Sequence, residues 1–224
     1  MPGAGTIPLS INPAGEVTGY YFDTDSFAHG FLRDAKGNVT DFDAPGASTA
    51  CFFGLTVAQG INAAGEITGN YYDSPVCISH GFLRERNGAI IVVDVPGFID
   101  TFPETINNAG ETAGWGFDAT GAEHGFLRDN RGFFTTFDLP NLENSGSMQI
   151  NPAGVIAGFW LDGNLVGHSF RRSADGTVAT IDVPGAGAGF SQGTQASSIN
   201  PAGVITGFYR DANSVAHGFL FQPQ

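Results

Sequence analysis

Residues 147–185, SMQINPAGVIAGFWLDGNLVGHSFRRSADGTVATIDVPG, are runs of Val, Ile, Phe and Trp cut at short intervals by Pro-Ala-Gly, Asp-Gly-Asn and Ala-Asp-Gly. β-Branched and aromatic runs between such breakers read as strands joined by turns. The spacing predicts strand a over 147–151, b over 155–161, c over 165–172 and d over 177–183. Turns fall at Pro152-Ala153-Gly154, Asp162-Gly163-Asn164 and Ala174-Asp175-Gly176. Four consecutive antiparallel strands make a meander of the kind that forms one propeller blade. Nothing in the stretch supports a helix.

The same sentence occurs five times, beginning at Ile11, Ile61, Ile106, Ile150 and Ile199, with periods of 50, 45, 44 and 49 residues. Periods of this size belong to repeat architectures whose units cannot bury their own faces alone. The predicted fold is all-β, a five-bladed β-propeller in one domain over 1–224, with blades near 5–45, 54–96, 100–140, 145–184 and 193–222. Both faces of a blade pack on neighbours, so unbroken apolar runs such as Ile90-Ile91-Val92-Val93 are expected. The fifth copy stops after strand c, and Met1-Pro2-Gly3-Ala4-Gly5 echoes Val183-Pro184-Gly185-Ala186-Gly187. The fifth blade is therefore expected to lack its outer strand, and the exposed edge offers a route to a homodimer.

Charged residues make up only 14 % of the chain, and the 33 glycines supply turns. A net charge of −13 with no Lys/Arg cluster argues against nucleic acid as a partner. It is compatible with cation binding, and more simply with solubility. No run of 18 apolar residues predicts a membrane span. The N-terminus shows no charged segment leading into an apolar one, so no secretion signal is read in these residues.

Chain reversal at the Asn-x-Ala-Gly turn puts the b–c loops and the d-to-a crossovers on one variable face. The other face carries only short turns. Cys51, in the first crossover, and Cys77, in the second b–c loop, share the variable face, where a disulfide requires Cα atoms about 4.4 to 6.8 Å apart.

All five histidines, His29, His80, His124, His168 and His217, open strand c, and each follows an aspartate across the b–c hairpin: Asp23, Asp73, Asp118, Asp162 and Asp211. An Asp–His pair can serve as a general base. Five copies on diverging blades cannot share one substrate, so the expectation is a structural hydrogen bond closing each hairpin. Asp43, Asp94, Asp138 and Asp182 are expected to cap the crossover turns. Asn12, Asn62, Asn107, Asn151 and Asn200 are expected to bond their own turns, the alternative being a ring of amide oxygens around a channel.

The spacing Ile-Asn-x-Ala-Gly-x-x-x-Gly followed by His-Gly-Phe-Leu-Arg resembles the extracellular repeat family named for its His-Ala-Phe motif (HAF repeat), found in bacterial surface and secreted proteins. The resemblance covers nearly the whole chain. It departs at Gly30, Gly81, Gly125 and Gly218, where that family has Ala, and at Ser169 in the fourth copy. It implies an extracellular, blade-like repeat and transfers no functional residue.

Function is sought where the repetition breaks. Phe52, Phe53, Phe98, Asn144, Phe190 and Gln192 on the variable face combine aromatics with amides, a mix suited to a sugar's apolar faces and hydroxyls. Glu104 is singular, because its counterparts are Leu9, Gln59, Met148 and Ser197. With Asp100 and Glu143 it forms a candidate catalytic set, and Asp100 with Glu104 a candidate Ca²⁺ site, calcium wanting six to eight oxygens. Such an ion would polarise a lactone, ester or glycoside carbonyl or leaving group. There is no Gly-x-Ser-x-Gly elbow, His-Glu-x-x-His or Cys-x-x-Cys pair. Three roles follow: a carbohydrate-binding module with repeated pockets, a calcium-dependent hydrolase with one asymmetric site, and a scaffold presenting surfaces to proteins.

Overall fold

A computed structural model describes residues 5–51, 56–140 and 144–223. Phe52, Phe53 and Glu143 lie outside these residues. The described residues form nineteen strands and no helix. The first repeat is β1 (Gly5–Ile11), β2 (Val17–Phe22), β3 (Ala28–Arg33) and β4 (Val39–Phe42). The second is β5 (Thr56–Ile61), β6 (Ile67–Tyr72), β7 (Ser79–Arg84) and β8 (Ile90–Val92). The third is β9 (Phe98–Ile106), β10 (Thr112–Asp118), β11 (Glu123–Arg128) and β12 (Phe134–Phe137). The fourth is β13 (Asn144–Ile150), β14 (Ile156–Leu161), β15 (Gly167–Arg172) and β16 (Val178–Ile181), and β17 (Gly193–Ile199), β18 (Ile205–Arg210) and β19 (Ala216–Phe221) follow.

Each repeat is an antiparallel meander, but hydrogen bonding gathers the strands into four sheets. The last two repeats share a seven-stranded sheet through one parallel bridge, Gly167 to Gly193. The first strands of successive repeats pack side by side, β1 on β5, β5 on β9, β9 on β13 and β13 on β17. No comparable contact joins β17 to β1.

The two glycines of the repeated motif have separate causes. The first, such as Gly110 at φ +80°, turns the chain in the left-handed region that side chains resist. The second answers a β-bulge. The first strand slips register against the second in each repeat: Leu9, Gln59, Glu104 and Ser197 are skipped in four of them, and in the fourth the slip falls between Ser145 and Met148. The bulge pushes a carbonyl at the neighbouring strand: a Cβ on Gly19, Gly69, Gly114 or Gly207 would sit 2.0 to 2.1 Å from the oxygen of Ile7, Val57, Phe102 or Gln195. Only glycine accommodates that approach.

The core lies between repeats, not within them. Leu32 and Phe42 pack on a buried cluster with Ile61 and Phe82, and Leu83 is buried with Ile106. Leu127 packs on a cluster with Ile150 and Phe170, and Ile181 is buried with Ala196 and Ile205. In two of the His-Gly-Phe motifs the glycine, Gly30 or Gly125, admits a ring of its repeat's fourth strand. A Cβ on Gly125 would fall 2.3 Å from Phe137, and one on Gly30 2.9 Å from Phe42. Ser169 is buried and its Oγ accepts the Ala196 N–H at 2.8 Å.

Polar bonds run along the same seams. Asn12 Nδ2 donates to the Asn62 carbonyl, Asn62 to Asn107, Asn107 to Asn151 and Asn151 to Asn200, at 3.0 to 3.3 Å. Each of Asn12, Asn62, Asn107 and Asn151 also accepts two amides of its own turn through Oδ1. The asparagines thus fold their turns, as expected, and also tie each repeat to the next. Thr56, Thr101 and Thr194 hydroxyls accept the N–H groups of Ala44, Val95 and Val183 in the preceding crossover. Cys51 and Cys77 form a disulfide with Cα atoms 5.5 Å apart, joining that crossover to the second repeat's b–c loop.

Candidate functional site

On the variable face each histidine sits between an aromatic ring and carboxylates. His29 Nδ1 donates to Asp43 at 2.9 Å while Nε2 lies 3.3 Å from Asp23. His80 pairs with Asp94 (2.8 Å) and Asp73 (3.3 Å), His124 with Asp138 (2.6 Å) and Asp118 (3.3 Å), and His168 with Asp182 (3.1 Å) and Asp162 (3.6 Å). His217 meets Asp211 at 3.2 Å. The crossover aspartates therefore reach the histidines instead of capping their turns. An imidazole held at both nitrogens has no free lone pair to act as a base, so the clamp is structural.

Tyr21, Tyr71, Trp160 and Tyr209 stack on His29, His80, His168 and His217 with centroids 4.9 to 5.3 Å apart. The third repeat has Gly116 at this place, and Phe98 fills the gap from β9, 5.5 Å from His124. Phe98 thus occupies the stacking slot and is only half-buried. In the fourth repeat the group opens into a pocket of about 350 Å³ lined by Pro140, Trp160, Asp162, His168, Thr180 and Asp182. Trp160 is buried, and its indole N–H has no acceptor among the described residues.

Of the other predicted residues, Phe190 is 72 % exposed on the last crossover. Gln192 ties that loop to the β18–β19 turn: Oε1 accepts the Gly189 N–H, and Nε2 donates to the Ala212 carbonyl and the Ser214 hydroxyl. Asn144 opens β13 opposite Leu161. Asp100 Oδ1 accepts the Ser79 N–H at 2.7 Å.

Glu104, the bulge residue of β9, lines an inner cavity of about 170 Å³ between the first strands, with Gln59, Thr105 and Gln149. Its Oε1 accepts the Trp115 indole N–H at 3.0 Å and its Oε2 the Met148 N–H at 2.6 Å. Burial pushes its carboxyl up to about 7 against those two bonds. Asp100 and Glu104 are four residues apart on β9, about 13 Å between Cα atoms at strand rise, and each carboxylate accepts a main-chain N–H, from Ser79 and Met148. No group of three or more His, Cys, Asp or Glu that could hold a metal occurs among the described residues.

No family model matches the chain, and no curated protein matches it. Among solved structures, TolB from Acinetobacter baumannii aligns with a TM-score of 0.59 at 12 % identity, over 96 % of this chain and 54 % of that one. A provisionally named gluconolactonase gives 0.51 at 12 % identity, over 100 % of this chain and 78 % of that one. The fold is a β-propeller. The chain spans about half the length of the TolB it matches. At this identity the likeness carries the propeller architecture and no activity.

Sequence reading missed the Trp160 pocket because Trp160 and His168 looked like ordinary members of the repeat. The available signal was that Trp160 is the one tryptophan among the stacking residues, above a crossover that supplies Pro140.

The propeller's stability is expected to peak in mild acid. Glu104 binds its proton more tightly folded than unfolded, so its contribution is complete below about 4.5 and is lost as pH rises towards about 7. Burial lowers His29 and His80, but bonds to Asp43, Asp23, Asp94 and Asp73 outweigh it, and the Asp138 bond raises His124. All three therefore lie above the ordinary 6.5, and their contribution is complete below that value and lost above it. Asp23, Asp118, Asp162 and Asp211 are lowered, mainly by the Phe27 N–H, the Thr120 hydroxyl, the Val166 N–H and the Val215 N–H, so theirs is lost on acidification below 3.8. The thermal midpoint is expected to be higher near pH 5.5 than near pH 8, with Glu104 alone contributing about 2 kcal/mol of the difference. A midpoint that rises from pH 5.5 to 8 would refute this assignment.

Proposed function

We propose that the protein is an extracytoplasmic carbohydrate-binding propeller whose principal site is the Trp160 pocket. Its five meanders act as five blades, with the variable face turned to the ligand. The carrying observation is that one pocket presents Trp160 and Pro140 beside two carboxylates and the Thr180 hydroxyl. Aromatic and aliphatic walls suit the apolar face of a pyranose, and carboxylates accept its hydroxyls. With a net charge of −13 and Asp162 and Asp182 in the wall, a neutral sugar is favoured over an acidic one. The tyrosine-lined counterparts in other repeats supply weaker copies, which add through multivalency. The Cys51–Cys77 disulfide fits an oxidising compartment, and no helix is long and apolar enough to cross a membrane.

A second reading keeps the hydrolase, because Glu104 is the one acid lining the inner cavity and its pKa of about 7 suits a general acid. Glycan screening followed by calorimetry separates the two. Thr180→Arg, at an exposed position, is expected to weaken the tightest neutral sugar at least tenfold with an unchanged thermal midpoint. Unchanged affinity would remove the Trp160 pocket. A calcium titration of chelator-treated protein, with Glu104→Gln beside it, tests the hydrolase: one bound ion lost in the variant, with lactone or ester turnover, would replace the binding reading.

A further inference from the structure

A second pocket, of about 170 Å³, adjoins the Trp160 pocket, because His168 and Asp182 line both. Its other walls include Val166, Gly167, Ala186 and Ala188. The crossover that floors it runs Gly185-Ala186-Gly187-Ala188-Gly189, so no side chain larger than a methyl group keeps a ligand from the main chain. That crossover is pinned in place. The Gly167 N–H donates to the Gln192 carbonyl at 2.8 Å, the Gly187 N–H to the Arg210 carbonyl at 2.8 Å and the Ser191 N–H to the Leu165 carbonyl at 3.1 Å. A floor held this way needs little ordering when a ligand arrives. Between the two pockets the Asp182 side chain is 49 % exposed. Its oxygens lie 3.1 and 3.2 Å from His168 Nδ1 and keep lone pairs for further donors.

The loop beside this pocket departs from the repeat at a conformational cost. The b–c turn requires a left-handed residue, which is Ser26, Cys77, Gly121 or Ser214 in the other repeats, at φ +57° to +83°. The fourth repeat has Leu165 there, at φ +58°, a conformation that a bulky side chain resists. Leu165 is 37 % exposed, so core packing does not account for it. Strain kept at an exposed position points to function. The Ser191–Leu165 bond also joins this loop to the one carrying the exposed ring of Phe190.

We infer that the two pockets are adjoining subsites of one cleft, and that its ligand is a linear neutral oligosaccharide of at least two units lying across the His168–Asp182 pair. This rests on the carbohydrate reading of the Trp160 pocket. One unit sits against Trp160 and Pro140, the next lies over the Gly-Ala floor between the Leu165 and Phe190 loops, and Asp182 accepts hydroxyls from both. A single sugar engages one set of walls at a time, so linking two units raises affinity.

Calorimetry on the whole chain tests this with glucose, galactose, mannose and N-acetylglucosamine and with the linear dimer of each. For the sugar that binds, the dimer is expected to bind at least about tenfold tighter than the monomer. Ala188→Arg, at an exposed position, is expected to bring that ratio to about one. Leu165→Gly is expected to reduce it at least about threefold without lowering the thermal midpoint, because glycine suits the left-handed turn. Thr180→Arg is expected to weaken monomer and dimer together. Equal affinity for monomer and dimer, or a ratio that survives Ala188→Arg in folded protein, would overturn the second subsite and leave the Trp160 pocket standing. Monomer binding that survives Thr180→Arg, or no binding by any of these sugars, would remove the Trp160 reading and this inference with it.

Discussion

Gly114→Ala is expected to unfold the protein or to cost at least about 4 kcal/mol, the range in which a single mechanism must be severe. The added Cβ would stand 2.1 Å from the Phe102 carbonyl oxygen and 2.8 Å from the Pro103 Cα. Both are backbone atoms of the bulge in β9, so no side chain can swing aside. Relief requires the bulge to straighten, which returns Glu104 to the ladder and takes its carboxylate from the Trp115 indole and the Met148 amide. Gly218→Ala is the control. Its Cβ would meet nothing nearer than 3.9 Å, and a change within about 0.5 kcal/mol is expected. Urea midpoints of the two variants decide it. A Gly114→Ala protein as stable as the control would show that no carbonyl occupies that space.

Asn107→Ala is expected to cost about 3 to 4 kcal/mol, several buried hydrogen bonds with orphaned partners at about 1 kcal/mol or more each. Asn107 is 4 % exposed. Its Oδ1 accepts the Ala109 and Glu111 amides, and its Nδ2 donates to Glu111 Oε2 at 2.6 Å and across the seam to the Asn151 carbonyl at 3.1 Å. The loss therefore opens a turn and a seam together. Asn200→Ala should cost only about 1 kcal/mol, since its turn is exposed and its amide crosses no seam. Asn107→Asp separates the two functions. It keeps the acceptor, places a charge against Glu111 and the Asn151 carbonyl, and should regain stability as acid neutralises the pair. Equal losses at Asn107 and Asn200 would contradict the ladder.

The repeat period and the turn glycines made the strands legible from sequence. Strands b, c and d of the fourth copy fall within two residues of their predicted bounds, and strand a starts three residues earlier. Strand content and propeller architecture follow from local chemistry. The bulge was not legible, because a skipped residue leaves no mark in a periodicity of two, and Leu9, Gln59, Glu104 and Ser197 share no side-chain type. Glu104 stood out as an exception to the repeat, but its partners Trp115 and Met148 come from a neighbouring strand and the next repeat, which composition cannot bring together. The Asp–His pairs were visible across each hairpin. The second aspartate, fourteen residues beyond His29, His80, His124 and His168, needed the fourth strand's return to be seen as part of the same clamp.

Every seam uses the same asparagine donor and carbonyl acceptor positions, and each of these bonds joins immediate neighbours. Junction chemistry is therefore indifferent to which copy stands on either side. An internal repeat running from one Ile-Asn to the next is a cassette: duplicating or excising it restores an asparagine bond at the new junction, and a Leu-to-Ile contact wherever the copy before the junction carries the leucine, as the first three copies do and the fourth, with Arg171, does not. Chain length in such an architecture changes in whole steps of roughly 45 residues, the spacing of the copies.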